Sequence, residues 1–489
     1  MITTSGSAGN TGDQARLNLT YIWLISLVAA LGGLLFGYDW VVIGGAKPFF
    51  EPCFGITRTV LENGAAKTVT DNTLSGWVNS CALLGCLLGS LVTGGLSDKF
   101  GRKLLLVASA VVFAVSSVLT GWAPALPWFV VWRVCGGVAI GMASNLSPMY
   151  IAEAAPAAMR GRLVALNQLT IVIGILAAQL VNWWLAVKLP HRGATPEALQ
   201  AAREAWNNAY GWRWMFTAVT APSLLFFAGA LRIPESPRWL VKNGKVEQAR
   251  RILARIGGED YAAVALRDIE GTIAADEVQR VRFRDLLEPG LKKVLLVGAA
   301  LAVLQQWSGI NSIFNYADKI YRAAGYDIHS IMFNIVITGA VNLGFTLLAI
   351  GSVDWFGRRR LMLIGCLGIG VSWLLLGGAY ALGLKGLVLA FTLCALGCYG
   401  MSLAPVTWVL ISEIFPNRIR GAAVAVAVSA LWIACFILTF VFPILEGWLG
   451  LARLFWLYAA ICAAGLVFVY RCVPETKGKT LEQIEQELS

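Results

Sequence analysis

Charge is what this chain has least of. Asp, Glu, Lys and Arg make up 14% of its 489 residues, while hydrophobic residues make up 57%. Soluble domains carry about 25% charged residues, so the shortage excludes a water-soluble enzyme as the body of the molecule. Histidine is nearly absent. The two that exist, His191 and His329, fall in expected outer loops, which argues against a histidine proton relay. Most of the ten cysteines lie inside apolar runs, among them Cys81, Cys86, Cys135 and Cys394, with Cys53 alone in an expected outer loop. No pair has metal-ligand spacing and a disulfide framework is not expected. No Walker glycine–lysine pattern occurs, which disfavours transport driven by bound ATP. No cofactor is expected.

What the chain has instead is a series of apolar runs, each long enough to span a hydrocarbon core of roughly 30 Å as helix. Twelve are read, near 21–45, 74–97, 104–122, 127–150, 163–186, 213–232, 293–321, 331–352, 361–382, 386–411, 421–443 and 451–472. The first 20 residues, "MITTSGSAGNTGDQARLNLT", are polar and read as a disordered tail with no cleavable signal. The net charge of +11 is not a nucleic-acid signal. Its basic residues cluster in alternate loops: "SDKFGRK", "MRGR", the 238–293 linker, "DWFGRRR" and "NRIRG". That distribution predicts a multi-pass cell-membrane protein with both termini cytoplasmic, which is the inner membrane if the source is a Gram-negative bacterium.

Three motifs occur in one order and then recur in that order. "GGLSDKFGRK" (Gly94 to Lys103) is echoed by "GSVDWFGRRR" (Gly351 to Arg360). "YIAEAAPAAMRGR" (Tyr150 to Arg162) is echoed by "LISEIFPNRIRG" (Leu410 to Gly421). "PESPRWL" (Pro234 to Leu240) is echoed by "PETKGKTL" (Pro474 to Leu481). The repetition predicts an all-α membrane protein of two pseudo-symmetric six-helix bundles, an architecture of secondary transporters. The expected parts are a tail at 1–20, bundles at 21–232 and 293–472, a cytoplasmic helical linker at 233–292 and a second tail at 473–489.

These motifs, with "QQWSGIN" at 305–311, make the chain resemble the sugar porter family of the major facilitator superfamily over all but its N-terminal tail. The resemblance extends to bacterial proton-coupled xylose and hexose carriers and to animal glucose carriers. It implies the major facilitator fold and alternating access.

A sugar is neutral and covered in hydroxyls, so its site needs amides that both donate and accept, with aromatic faces against C–H surfaces. Gln305, Gln306 and Asn311 supply adjacent amides on helix 7, beside a Ser308–Gly309 interruption, and match the family's sugar-binding motif. Asn315 shares a face with Asn311, and Tyr316 can close over them. Gln168 on helix 5, Asn342 on helix 8, Trp408 on helix 10 and Trp432 on helix 11 match further sugar contacts, and Phe36 on helix 1 is an apolar candidate. Pro405 removes a backbone donor and is expected to loosen helix 10. The chain departs from the family pattern at Leu431, where a polar residue is usual, at Ile175, which resembles the glucose-carrier choice, and at Ala404, which replaces a glycine. These departures favour a hexose such as glucose.

Asp39 stands in the otherwise uncharged "LGGLLFGYDWVVIGG" (Leu31 to Gly45). A carboxylate at bilayer depth costs at least about 2.5 kcal/mol on insertion scales. Arg133 on helix 4 is the other conspicuous intramembrane charge. Each is placed about six residues, roughly 9 Å, from the outer surface, so the two can pair. A fixed structural salt bridge and a proton switch both fit that placement. The resemblance implies the switch, since "FGYD" with this arginine marks proton-coupled members. Acids and arginines also flank the cytoplasmic ends: Asp98 and Arg102; Glu153 with Arg160 and Arg162; Asp354 with Arg358 and Arg359; Glu413 with Arg420. The resemblance implies that they form a cytoplasmic gate bridging the halves when the carrier opens outward.

The expected function is import of a monosaccharide with proton symport by a monomer whose partners are sugar, protons and the bilayer. Facilitated uniport, a pentose such as xylose, a polyol, and a membrane sugar sensor are the alternatives.

Overall fold

The chain's long apolar runs fold as helices, as they must where lipid leaves backbone groups no partner but each other. The structure is a computed structural model that describes residues 17–62, 65–187, 196–278, 289–415 and 420–477. His191 and most of both predicted tails lie outside the described residues, as do the side chains of Asp354 and Arg420.

In chain order the first half contains α1 (Leu19–Cys53), a hairpin of β1 (Thr57–Glu62) and β2 (Ala65–Thr70), α2 (Asn72–Phe100), α3 (Arg102–Gly121), α4 (Leu126–Ala154), α5 (Arg160–Val187), α6 (Pro196–Trp206), a π-helical turn, α7 (Trp212–Thr217) and α8 (Thr220–Arg232). The linker holds α9 (Pro237–Lys242) and α10 (Val246–Val278), the latter kinked at Gly257 and Gly258. The second half contains α11 (Pro289–Trp307), α12 (Ile310–Ala323), α13 (Ile328–Phe356), α14 (Arg358–Ala381), a short 3-10 turn, α15 (Val388–Met401), α16 (Leu403–Ile414) and α17 (Arg420–Cys472). The hairpin pairs antiparallel from Thr57 opposite Thr70 to Glu62 opposite Ala65.

Eleven spans among the described residues are long and apolar enough to cross a membrane. The last, Gly421–Cys472, has 52 residues and would be roughly 78 Å long if straight. It turns at Gly450, whose φ of 74° is not helical, so it supplies two legs, as the separate runs at 421–443 and 451–472 predict.

Two boundaries differ from expectation, and two elements are additional. Helix α1 continues past residue 45 to Cys53, through Pro48 and Pro52, so Asp39 lies far from its end and Cys53 is helical. The Gly-Gly and Pro there read as a stop, but both glycines serve close packing: a Cβ on Gly44 would meet the Phe314 carbonyl, and one on Gly45 the Asn182 amide. Helix α13 begins at Ile328 under an Asp327 cap that accepts from the backbone N–H of His329 at 3.0 Å, which puts His329 in its first turn. The hairpin and α6 were not anticipated.

Two spans are broken where the sequence places breakers. Helices α11 and α12 meet at Gly309, which is left-handed with φ 87°. The Ser308 carbonyl exposed by that break accepts from Trp373 Nε1 at 2.6 Å, which satisfies it in the absence of water. Helices α15 and α16 meet at Ser402 (φ −129°, ψ −86°). Pro405, three residues on, has no N–H to close the turn on Met401.

Close approach of the helices depends on glycine. Gly85 and Gly89 of α2 face the Val134 and Val138 carbonyls of α4, while Gly137 and Gly141 of α4 face the Ala82 and Cys86 carbonyls of α2. This reciprocal small-residue pattern lets backbones touch where lipid offers no hydrophobic drive for association. Gly37 and Gly174 do the same between α1 and α5. Gly137→Ala is expected to lower stability by about 1–3 kcal/mol through overpacking, while Gly94→Ala, with nothing within 4 Å of its Cβ, stays neutral or gains. Thermal unfolding of the purified variants in detergent checks the contrast.

Candidate functional site

Asp39 on α1 and Arg133 on α4 are each 4% exposed. Arg133 Nη1 donates to both Asp39 carboxylate oxygens at 2.9 Å. The guanidinium also lies over the Phe216 ring at 5.4 Å. One nitrogen makes both contacts, so the two-nitrogen fork available to arginine is not used, and Arg133 Nε is left without a partner. The same arginine lines a small cavity with Trp40, Asn79 and Asn315. Asn79 donates from Nδ2 to the Ser75 carbonyl at 2.8 Å, and its Oδ1 has no partner. The site therefore holds a buried carboxylate paired with a guanidinium, and an unused acceptor, beside a cavity lined from both halves.

The amides of α11 and α12 form a chain. Gln306 Nε2 donates to Gln305 Oε1 at 3.4 Å, Asn311 Nδ2 donates to Gln306 Oε1, and Asn315 Nδ2 donates to the Asn311 carbonyl at 3.0 Å. All four residues are buried. The break at Gly309 makes this possible, because it offsets α12 from α11 and turns Asn311 back onto Gln306. Phe36 and Trp432 approach to 5.9 Å, and Trp40 completes a triangle at 6.0 and 6.1 Å. Trp432 Nε1 is buried without a partner. Asn342 is buried, with Oδ1 3.3 Å from where a Gly400 Cβ would sit. Gln168 is half-buried, and Trp408 is 39% exposed. Among the described residues, no hydrogen bond or ring contact joins Gln168, Asn342 or Trp408 to the amide chain.

The repeated motifs build two like clusters. In the first half, Arg102 Nη2 pairs with Glu153 at 2.9 Å, and its Nη1 reaches Asp98 at 3.4 Å and the Ser97 carbonyl at 2.9 Å. Ser236 donates to Glu153. The Glu235 carboxylate accepts from the backbone N–H of Arg102 at 2.9 Å and Lys103 at 3.1 Å, which caps the start of α3 from a distant loop. In the second half, Arg358 pairs with Glu413 at 3.3 Å, Thr476 donates to Glu413 at 2.6 Å, and Glu475 accepts from the Arg358 N–H at 2.9 Å. Gly101 and Gly357 have φ of 88° and 86°. A Cβ on either would collide with the carboxylate of Glu235 or Glu475. These contacts tie loops within each half. Arg160 and Arg162 are exposed, and Arg359 donates to the Tyr470 carbonyl.

Sequence reasoning missed Trp40 and Asn79. Trp40 follows Asp39 and reads as lipid-facing bulk. The signal for Asn79 was available: an amide alone in the apolar stretch "SGWVNSCALLG".

Helical legs, duplicated charged loops and a polar, aromatic-lined centre together define a multi-pass membrane carrier of two like halves. The family model described as "Sugar (and other) transporter" matches residues 25–488. The D-xylose-proton symporter of Escherichia coli K12 is 38% identical over 499 residues, covering 96% of each chain. A glucose transport protein of Synechocystis is 39% identical, covering 96% of this chain and 98% of its own. Among solved structures, the inward open conformation of the E. coli xylose transporter XylE matches with a TM-score of 0.78 at 37% identity, over 95% of this chain and 99% of that one. Its partially occluded inward open form matches with the same TM-score at 35% identity, over 94% and 100%. The chain belongs to the sugar porter family of the major facilitator superfamily, whose members are transporters and not enzymes.

Glu235→Ala is expected to cost about 0.5–2 kcal/mol, as loss of a helix cap does, and Glu475→Ala to behave alike. Glu235→Gln, which keeps an acceptor oxygen, loses less. Melting temperatures of the three variants check this order.

Proposed function

We propose that the protein imports a monosaccharide, with a hexose favoured, in symport with a proton. The observation that carries this reading is the buried Asp39–Arg133 pair beside a cavity between the halves. In this reading, protonation of Asp39 frees Arg133, and the first half repacks around sugar. The names of similar proteins support proton coupling: a D-xylose-proton symporter and, at 36% identity, the arabinose-proton symporter of Bacillus subtilis. The glucose transport protein and the choices at Ile175 and Leu431 support a hexose.

Gln305, Gln306 and Asn311 read the sugar hydroxyls, with Gln168 and Asn342 joining from α5 and α13. Phe36, Trp408 and Trp432 supply apolar faces. The bundles at 21–232 and 293–472 move against each other, with 233–292 as linker, in a monomer. The arginine-rich face is cytoplasmic, as the positive-inside rule requires, and both termini lie there. Asp98, Arg102, Glu153, Arg160, Arg162, Asp354, Arg358, Arg359, Glu413 and Arg420 control the opening of that face.

The test is uptake and counterflow in proteoliposomes with labelled glucose, xylose, galactose and fructose, at two pH values. An inward proton gradient should concentrate the transported sugar, and a protonophore should abolish the accumulation. Asp39→Asn should lose accumulation and keep exchange. If Asp39→Asn still concentrates sugar, the proton role is wrong. Accumulation that survives the protonophore overturns symport.

A further inference from the structure

Lys47 has no part in the sugar site or the proton pair, yet it is 0% exposed. It sits on α1 about two turns, roughly 12 Å, beyond Asp39. Its Nζ lies 3.4 Å from Asp318 Oδ1 and 4.2 Å from the centre of the Tyr316 ring, both on α12. Asp318 is itself buried. The pair therefore joins the first half to the second at the face opposite the arginine-rich loops. Its surroundings are built to exclude water. The Tyr316 ring stacks on Phe442 at 4.4 Å, and its hydroxyl donates to the Thr439 carbonyl at 2.6 Å. Lys319 donates to Asn72 Oδ1 across the same seam at 3.1 Å and pairs with Glu446 at 3.6 Å. Glu51, one turn on from Lys47, is buried and accepts from Ser75 and Thr57 of its own half. Glycine brings the backbones together here, at Gly44 against the Phe314 carbonyl and at Gly76 against that of Phe440.

We propose that Lys47 and Asp318 are positioning residues of the transport cycle, a buried ion pair that latches the two halves together at this face and sets how readily it opens. Buried charges are tolerated when paired. In the closed state each neutralises the other. When α12 separates from α1, water reaches both. Removing one charge leaves its partner uncompensated in the closed state but hydrated in the open one, so a single neutralisation favours opening. Removing both leaves no uncompensated charge, and such replacements are tolerated far better than single ones. The effect of the pair should therefore be non-additive. The latch needs no sugar and stands whichever solute is carried.

The test is hydrogen exchange followed by mass spectrometry on the full-length protein in nanodiscs without sugar. Lys47→Met and Asp318→Asn should each raise exchange in 40–53 and 310–323 by at least about threefold, a modest population shift. Exchange should fall around 97–104 and 354–361 at the opposite face. The double variant should return toward wild type. A merely structural loss would raise exchange at both faces, and that result overturns the proposal, as does no change in the single variants or a double variant as open as either. Should a single variant fail to purify, Lys47→Asp combined with Asp318→Lys decides. A wild-type exchange pattern supports the latch; an opened pattern, or failure to fold, overturns it.

Discussion

The contact between the Asp39 carboxylate and the Arg133 guanidinium is the constraint around which the first half is arranged in this structure, since a buried charge needs a partner. Breaking such a pair by removing one partner costs about 3–5 kcal/mol. Much of the first half is arranged to keep the two within reach. Gly136 of α4 lies beside the carboxylate, with Asp39 Oδ2 3.9 Å and Ser116 Oγ 3.2 Å from where its Cβ would be. Gly137 and Gly141 on the adjoining face of α4 let α2 close against it, carrying Asn79 to the cavity that Arg133 lines. On the other side of α1, Gly37 and Gly174 fix α5. One electrostatic requirement thus sets the spacing of four helices.

The second constraint is met twice with the same parts. Glu235 and Glu475 each cap the start of a helix in their own half, α3 and α14, from a segment well over a hundred residues downstream. In each case the carboxylate occupies the space a side chain would take on Gly101 or Gly357. Glycine there answers both a left-handed backbone and an occupied Cβ position. The clusters anchor loops to helix ends within a half, and that is what rigid-body motion of each half would need.

The repeats, the spans, the charged loops and the unequal treatment of Asp39 and Arg133 were legible because each departs from a lipid-compatible background. The amide chain was legible as residue types, and the break at Gly309 that assembles it was legible as "WSGIN". Depth was not. Gly44, Gly45 and Pro48 read as the end of helix 1, because local propensity cannot report that Asn182 and Phe314 lie where the missing side chains would point. Trp40 reads as lipid-facing bulk until Phe36 and Trp432 are found against it. The hairpin at 57–70 was overlooked because a polar stretch between two spans reads as loop. Lys47 escaped for the same reason as the helix end: a lysine beside a presumed terminus is unremarkable, whereas a lysine inside a continuing helix demands a partner.

That continuation changes what α1 can do. As one helix from Leu19 to Cys53 it carries Phe36 and Trp40 against Trp432, Asp39 against Arg133, and Lys47 against Asp318. The aromatic contact and the Lys47 pair face the second half, while the Asp39 pair faces the first. A helix is stiff along its axis, so a small rotation of α1 about the Asp39 contact is felt at both other contacts together. Packed interfaces respond to such displacements by switching between discrete arrangements rather than by deforming. Had α1 ended at residue 45, the pair would have belonged to a loop, free to adjust without the helix. Because it does not end there, the Asp39 contact and the Lys47 seam are carried on one continuous helix.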